Sequence, residues 1–200
     1  MSDYMSALIL PKLTEILERK APNIKINVIS TSHLNSITSF ERGEYDLAIG
    51  KVANLKNPVK KQLLYKDAAV CILNAKHQLA NKKKITLKDY LSQKHVSVRA
   101  IHQSLSPVID QTLCKMGHQR DTEMSLPYML PVFNVIEKSH RLIATILKTI
   151  ATLHQEAHHY VIKSLPFKIP DIEYYLAWHQ QFDEDAGHAW LREQLINITK

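Results

Sequence analysis

The stretch Phe40–Gly50 reads FERGEYDLAIG and joins a charged turn directly to a short apolar run that ends in glycine. Gly43 can adopt the left-handed backbone conformation that often closes a helix. The apolar run from Tyr45 to Ile49 favours a buried parallel strand, and Gly50 would let a ligand approach the backbone at its carboxyl end. Ligands of open α/β sheets bind at that end. The stretch therefore predicts an α/β sheet with a ligand cleft beside Gly50.

The composition is that of an ordinary globular protein. The chain has 200 residues, of which 45% are hydrophobic and 22% charged, and its formal net charge is +7. No apolar run approaches the roughly 20 residues of a membrane span, and no secretory leader opens the sequence, so we expect a soluble, cytoplasmic protein that contacts no membrane. Cys71 and Cys114 form no C-x-x-C motif and are expected to be reduced, buried thiols. The cationic run 81–84 has no interleaved aromatic residues, and we interpret it as a solvated loop.

Hydrophobic periodicity alternates between helix and strand along the chain. Helical spacing predicts a helix over 3–20, kinked or delayed by Pro11, and period-two alternation predicts a strand over 23–30. Further helices are predicted at about 33–42, 106–117, 128–138, 147–158 and 186–198, and Thr86 is expected to start a short one. Further strands are predicted at 45–50, 63–64, 68–73, 95–100, 121–127, 141–145, 159–165 and 172–179. This alternation is typical of doubly wound parallel sheets, and because the units are too many for one small sheet we expect two lobes.

No motif in the sequence supports catalysis or metal binding. No nucleophile lies in a G-x-S-x-G setting and nothing resembles a phosphate loop, so we predict no catalytic residue and no cofactor. His154 and His158 are four residues apart, a spacing that can hold Zn²⁺. Because no third ligand follows at a sequence spacing typical of zinc sites, we interpret His154 and His158 as part of an exposed polar helix end and predict no metal site. Trp178 and Trp190 are interpreted as core residues of amphipathic elements.

The order of short motifs resembles that of the effector-binding domain of LysR-type transcriptional regulators, in the branch that includes regulators of aromatic catabolism and nodulation. The matching motifs are SDYMSALILPKL (2–13), FERGEYDLAIG (40–50), HQLANKKKITLKDYL (77–91), RLIATIL (141–147), LPFKIPDIEYYLAWH (165–179) and HAWLREQL (188–195). The resemblance implies two Rossmann-like α/β lobes joined by two crossover strands, like a type II periplasmic binding protein. The first lobe is expected at 1–73 and 172–200, and the second at 74–171.

The sequence departs from the usual family pattern at several positions. Gln78 and Leu147 stand where the family usually has proline, and 138–141 replaces a segment that more often contains glycine and an acid. The N-terminal winged helix-turn-helix of the family, and the first strand of its first lobe, have no counterpart in this sequence. We therefore expect that DNA is contacted only through that missing domain and that this chain alone binds no specific DNA sequence.

The resemblance implies a ligand-sensing regulatory domain that binds a small organic effector between its lobes, and we interpret the effector as an anion such as an aromatic carboxylate. The expected contacts lie at strand ends and helix starts of both lobes, and they are Ser2, Asp3, Thr31, Ser32, Gly50, Lys51, Val98, Arg99, Ala100, Pro127, Tyr128 and Met129. Alternatives that stay open are a stand-alone solute-binding protein of the same fold, which the missing export signal disfavours, and an enzyme on an α/β scaffold.

The resemblance also implies self-association. The chain is expected to form a homodimer, and the full-length parent a tetramer. In the family, the first-lobe helix, here about 4–20, packs beside the second-lobe helix of the partner, here about 106–117, in an isologous contact. Leu10 and Thr14 lie off the inner stripe of the first helix and are expected to contribute.

Overall fold

The computed structural model describes residues 1–30, 33–34, 37–52, 57–99 and 108–199. In chain order its regular elements are α1 (Asp3–Lys20), β1 (His33–Leu34), α2 (Ile37–Glu41), β2 (Leu47–Val52), β3 (Val59–Asp67), β4 (Ala69–Asn74), α3 (Leu87–Leu91), β5 (Lys94–Val98), α4 (Val108–Lys115), β6 (Asp121–Leu126), α5 (Pro131–Lys138), β7 (Leu142–Leu147), α6 (Lys148–Leu153), β8 (Tyr160–Ser164), β9 (Ile172–His179), a 3₁₀ turn (Gln180–Phe182) and α7 (Ala186–Ile198).

The chain folds into two compact units, and the predicted α/β fold with two lobes is confirmed. Unit 1 comprises Met1–Lys66 and Ile172–Lys200, and unit 2 comprises Asp67–Asp171. The first boundary was predicted seven residues later, at 73/74. Residues 67–73 belong to unit 2 because β4 pairs with β7 on one side and β8 on the other, in the interior of the second sheet.

Unit 1 is built on a four-stranded sheet in the order β1-β2-β9-β3. Strand β2 runs parallel to β1 and antiparallel to β9. Helix α1 buries Tyr4, Met5, Ile9 and Leu13, which recur on one helical face at the predicted spacing. The helix is continuous from Asp3 through Pro11, so the proline does not delay its start.

Unit 2 is built on a five-stranded sheet in the order β6-β5-β7-β4-β8. Strand β5 is parallel to β6 and β7, whereas β4 is antiparallel to both of its neighbours. Helix α3 begins with a capping box, in which Thr86 and Asp89 satisfy each other's backbone N–H groups. The core of the unit contains Cys71, Leu73, Leu79, Ala80, Ile85, Tyr90, Ile109, Leu113 and Ile143.

The predicted strand over 23–30 is wrong. This segment forms no strand with any described part of the chain, and Ile24, Ile26 and Val28 remain 41%, 42% and 37% exposed. An alternating pattern gives a strand only where a neighbouring strand takes up its backbone hydrogen bonds. The segment instead has a local bond from the Ile24 N–H to the Ala21 carbonyl.

Several predicted boundaries also shift. The helix predicted over 33–42 is α2, preceded by the short strand β1, and the last helix of unit 2 is six residues long because it ends at Leu153. Helix α5 begins at Pro131 rather than 128, since proline fits the first helical position, where its missing N–H costs nothing. Cys71 is buried as predicted, but Cys114 is exposed on α4. Trp178 and Trp190 are half-buried, so the prediction that both are core residues is wrong.

Candidate functional site

A Schellman turn sets the start of strand β2. Helix α2 ends at Glu41, and Gly43 follows with a φ of 65°. The Gly43 N–H donates to the Phe40 carbonyl and the Glu44 N–H to the Ser39 carbonyl, both at 3.0 Å. The helix closure predicted at Gly43 is therefore confirmed. The turn directs the chain into β2, on which Gly50 and Lys51 lie.

Gly50 is buried on β2 opposite Tyr175 of β9. The sequence predicted that the strand ends at this glycine with Lys51 just beyond it. The strand instead continues to Val52, because His33 and Leu34 of β1 pair with Lys51 and Val52. Lys51 is therefore held in the sheet rather than in a loop.

The Lys51 side chain is a half-buried cation over an aromatic ring. Its Nζ lies 5.9 Å from the centre of the Tyr174 ring, and burial lowers the pKa of its ammonium group. Lys51 forms no salt bridge with any described residue. The site thus contains a partly desolvated positive charge that no carboxylate of the described residues balances in a salt bridge.

The start of α1 contacts the same tyrosine. The edge of the Tyr4 ring packs on Tyr174 with 5.3 Å between ring centres. Ser2 is the N-cap residue, but its side chain caps no backbone N–H, and its buried Oγ has no hydrogen-bond partner in the described structure. Asp3 is the first helical residue. Tyr174 therefore connects the first turn of α1 to Lys51, a relationship that the sequence analysis missed.

Three of the predicted contacts, Thr31, Ser32 and Ala100, lie outside the described residues. In unit 2, Val98 is the last residue of β5, and the Arg99 N–H donates to the Leu126 carbonyl at 2.8 Å. Pro127, Tyr128 and Met129 were predicted to begin a helix but lie in the segment between β6 and α5. The Tyr128 ring is 45% exposed.

Arg99 belongs to a charged cluster that the sequence did not predict. Its guanidinium donates to Asp110 Oδ2 at 3.4 Å, and Arg120 Nε donates to Asp110 Oδ1 at 2.5 Å. Arg120 also donates to the Ser97 hydroxyl at 3.1 Å, and its side chain is only 3% exposed. No spacing signal could have found this cluster, because Arg99 follows β5, Asp110 lies on α4 and Arg120 precedes β6. These three residues line an open cavity of about 990 Å³ together with Leu113, Cys114, Gly117, His118, Gln119, Asp121 and Thr122.

The predicted polar helix end at 154–159 has a different structure. His154 caps the short helix α6 and stacks on the buried Phe133 ring at 4.8 Å, and its Nε2 is buried. His158 Nδ1 lies 2.8 Å from Glu137 Oε2, so this histidine pairs with a carboxylate from α5. No group of three or more metal-ligating side chains comes together among the described residues.

No helix in the described ranges combines the length and the apolar character of a membrane span.

Comparison with known proteins identifies the family. A family model described as the LysR substrate binding domain matches residues 1–198. The HTH-type transcriptional activator NagR of Ralstonia sp is 27% identical over 198 residues, and NahR of Pseudomonas putida is 25% identical over the same length. Each alignment covers 99% of this chain and 65% of the relative, so this chain spans about two thirds of their length.

A solved structure supports the same assignment. The structure of a putative transcriptional regulator from Vibrio parahaemolyticus is 28% identical and superposes with a TM-score of 0.86, over 99% of this chain and 90% of that one. The relatives are transcription regulators rather than enzymes, in agreement with the absence of catalytic motifs from the sequence. The sheet topology, the two-unit organisation and the full-length match lead to one conclusion: the chain belongs to the LysR substrate-binding-domain family.

Proposed function

We propose that this chain is the part of a LysR-type transcriptional regulator that senses its effector, and that the effector is a small organic anion, with aromatic carboxylates as the preferred class. The observation that carries the proposal is Lys51, a half-buried cation with no carboxylate partner among the described residues, beside Tyr174. The names of NagR and NahR, both transcriptional activators, support the regulatory role.

The electrostatics of Lys51 favour an anionic ligand. Burial of an ammonium group without a counter-ion disfavours its charged form, which is why the pKa of Lys51 is lowered. A ligand carboxylate at this point supplies the missing negative charge and accepts a charge-assisted hydrogen bond. Such a bond contributes about 1.5–3 kcal/mol to binding. The adjoining Tyr4 and Tyr174 are buried, so they support Lys51 from the core of unit 1.

The first turn of α1 provides neutral donors to the same ligand. The first N–H groups of this 18-residue helix have no carbonyl partners within it, and its dipole favours negative charge. The unpartnered Ser2 hydroxyl adds a further donor. Asp3 carries a negative charge here, so the proposal requires the ligand carboxylate to approach from the side of Ser2 and Lys51. Gly50, next to Lys51, is buried and adds no side chain to the site.

The proposal assigns the remaining predicted contacts to the same effector. Thr31 and Ser32 would offer hydroxyls, and Arg99 a second cation in competition with its weak 3.4 Å contact to Asp110. Val98, Ala100, Pro127, Tyr128 and Met129 would form the apolar wall from unit 2. We expect an effector bound by residues of both units to have different affinities for different arrangements of these units. The arrangement that binds it more tightly then becomes more populated, and this shift provides a signal for a DNA-binding domain.

The test is a thermal-shift screen of small aromatic acids, followed by titration calorimetry of the best ligand. Lys51→Ala is expected to weaken binding about tenfold or more, because a loss of 1.4 kcal/mol corresponds to a factor of ten. Lys61→Ala is the matched control, since Lys61 Nζ also lies over a tyrosine ring, 5.1 Å from the centre of Tyr175, but Lys61 itself is exposed on β3. The control should bind as the parent does. If Lys51→Ala, Arg99→Ala and Thr31→Val all bind as tightly as the parent, the site assignment is wrong.

A further inference from the structure

The positive charge of the chain is concentrated in unit 2. Unit 1 has 12 Lys and Arg residues against 11 Asp and Glu, whereas unit 2 has 14 against 8. Unit 2 therefore carries +6 of the net +7. The sequence alone shows scattered lysines, because the division into units is a property of the fold.

Within unit 2, several carboxylates are occupied by cations around α4, β6 and α5. Their salt bridges join Asp110 to Arg99 and Arg120, Asp121 to Lys94, Glu123 to Arg141, and Glu137 to Lys138. Since these four carboxylates offset most of the Lys and Arg charges of this region, most of the excess of positive charge lies elsewhere on the unit.

The excess collects where the loop before α3 meets β8. Lys82, Lys83, Lys84 and Lys88 are exposed within seven consecutive residues. Lys163 of β8 donates its Nζ protons to the carbonyls of Ala80 at 2.6 Å and Lys82 at 2.7 Å, which fixes its ammonium group against this loop.

A sixth lysine joins from the segment after β8. The Phe167 ring packs edge-on against Tyr90 of α3, at 5.3 Å between ring centres, and the adjacent Lys168 is exposed. We name the set formed by Lys82, Lys83, Lys84, Lys88, Lys163 and Lys168 the lysine corner. Its one salt bridge among the described residues joins Lys82 to Asp89 at 2.7 Å.

The lysine corner has the chemistry of a phosphate-binding surface rather than of a protein interface. Protein interfaces depend on a buried apolar or aromatic centre. The exposed large hydrophobic side chains of the described structure lie elsewhere, and they are Ile24, Ile26, Val28, Ile29, Leu63, Met116, Met124, Tyr128 and Leu153. Single-stranded nucleic acids are held by exposed aromatic rings on which bases stack. Backbone phosphates of a duplex need only positioned cations.

We propose that the lysine corner of unit 2 binds the phosphate backbone of duplex DNA without sequence preference. The proposal goes beyond effector sensing and shares no residue with the effector site. In a longer regulator whose recognition domain is bound to DNA, this contact would hold unit 2 against flanking DNA and add affinity through high local concentration. It departs from the expectations that DNA is contacted only through the missing N-terminal domain and that the run 81–84 is a solvated loop. It agrees with the expectation that this chain alone selects no DNA sequence.

The test measures fluorescence anisotropy of labelled duplexes of two unrelated sequences, titrated with the chain at several KCl concentrations. Both duplexes should bind alike, with affinity that falls steeply as salt rises. Each phosphate contact contributes about −0.9 to the slope of log K against log salt, so K83A/K84A/K88A should make that slope shallower by about 2–3. At low salt the triple variant should bind at least tenfold more weakly.

The matched control is K20A/K25A/K60A, which removes three exposed lysines of unit 1 and the same net charge. It should retain the parent slope, and thermal melts should show all three proteins folded. Equal losses of DNA affinity in both triple variants would show that binding depends on charge spread over the whole surface rather than on one site, and would overturn the proposal. Tighter binding to poly-glutamate of equal charge would identify an acidic protein surface as the partner instead. Preference for single-stranded DNA, or for one of the two duplex sequences, would also contradict it.

Discussion

Arg120 and Asp110 form an ion pair with 2.5 Å between Nε and Oδ1, in which the arginine side chain is 3% exposed and the aspartate side chain 19%. Removal of either partner takes away the main counter-charge of the other, but the remaining charge is compensated to a different degree in the two cases. Asp110 keeps some water and its contact with Arg99 when Arg120 is lost. When Asp110 is lost, the partners that Arg120 keeps among the described residues are neutral hydroxyls, those of Ser97 and Tyr90.

This asymmetry predicts that Asp110→Asn destabilises the protein more than Arg120→Met. Breaking a buried ion pair costs about 3–5 kcal/mol when a buried charge is left without a partner, and we expect the aspartate variant to approach that range. The arginine variant should lose roughly half as much, since its methionine also fills apolar space. Urea denaturation of both single variants measures the difference. Equal losses would show that Asp110 is no better solvated than Arg120.

Replacement of Gly43 by alanine should destabilise unit 1. The residue has a φ of 65°, and a Cβ added there meets no atom within 4 Å, so the penalty is backbone strain rather than a clash. A non-glycine residue in this region costs about 1–2 kcal/mol, partly offset by the lower entropy of the unfolded alanine chain. Gly187→Ala within α7 is the control and should be neutral or stabilising, because alanine favours helix. A loss in the control as large as that at Gly43 would contradict the interpretation.

The free energy of unfolding should fall as the pH drops below 6.5. His95 is fully buried on β5, and desolvation lowers its pKa to about 4. The hydrogen bond to the Tyr90 carbonyl raises this pKa, and repulsion from the Arg120 charge lowers it further. As the pH falls from 6.5 towards 4, the folded state therefore binds fewer protons than the unfolded state. The stability that neutral His95 contributes is fully present above pH 6.5 and is lost as the pH falls through 4. His95 alone accounts for about 3 kcal/mol over that interval.

The variant His95→Gln tests this pH dependence. Glutamine stays neutral and can donate to the Tyr90 carbonyl, so stability measured by urea denaturation between pH 7.5 and 4.5 should fall less steeply than in the parent. A curve parallel to that of the parent would exclude His95 as a source of the acid sensitivity. Far-UV circular dichroism at pH 7.5 checks that the variant is folded.

Self-association through α1 stays a prediction. An open groove of about 360 Å³ runs beside this helix, and Ile26 in its wall is 42% exposed. Sedimentation at tens of micromolar should give the mass of two chains, because a second copy would cover these apolar side chains. Ile26→Glu should shift the equilibrium to monomer, whereas Leu63→Glu, at a position 41% exposed on β3, should not. A parent that sediments as a monomer would refute the idea.

The sequence predicted elements where the pattern is local. The helix over 3–20, the helix closure at Gly43 and the helix over 186–198 depend on side-chain spacing and turn chemistry within a few residues, and all three are confirmed. The motif order across the chain was sufficient to identify the family and its two-lobed fold. The apolar alternation over 23–30 predicted a strand that does not form, because a strand also needs a neighbouring strand, and the segment's own residues do not reveal whether one is present.

By itself, then, the sequence determined the fold family and the strand that contains Gly50, since these follow from motif order and periodicity. That Lys51 also lies in this strand was decided by its pairing with β1. Only the tertiary structure decided what those residues contact. Lys51 lies over Tyr174, Arg120 is buried against Asp110, and six lysines from two distant segments share one corner of unit 2. Charge balance and desolvation depend on distances between side chains far apart in sequence, and these distances are set by strand order and packing.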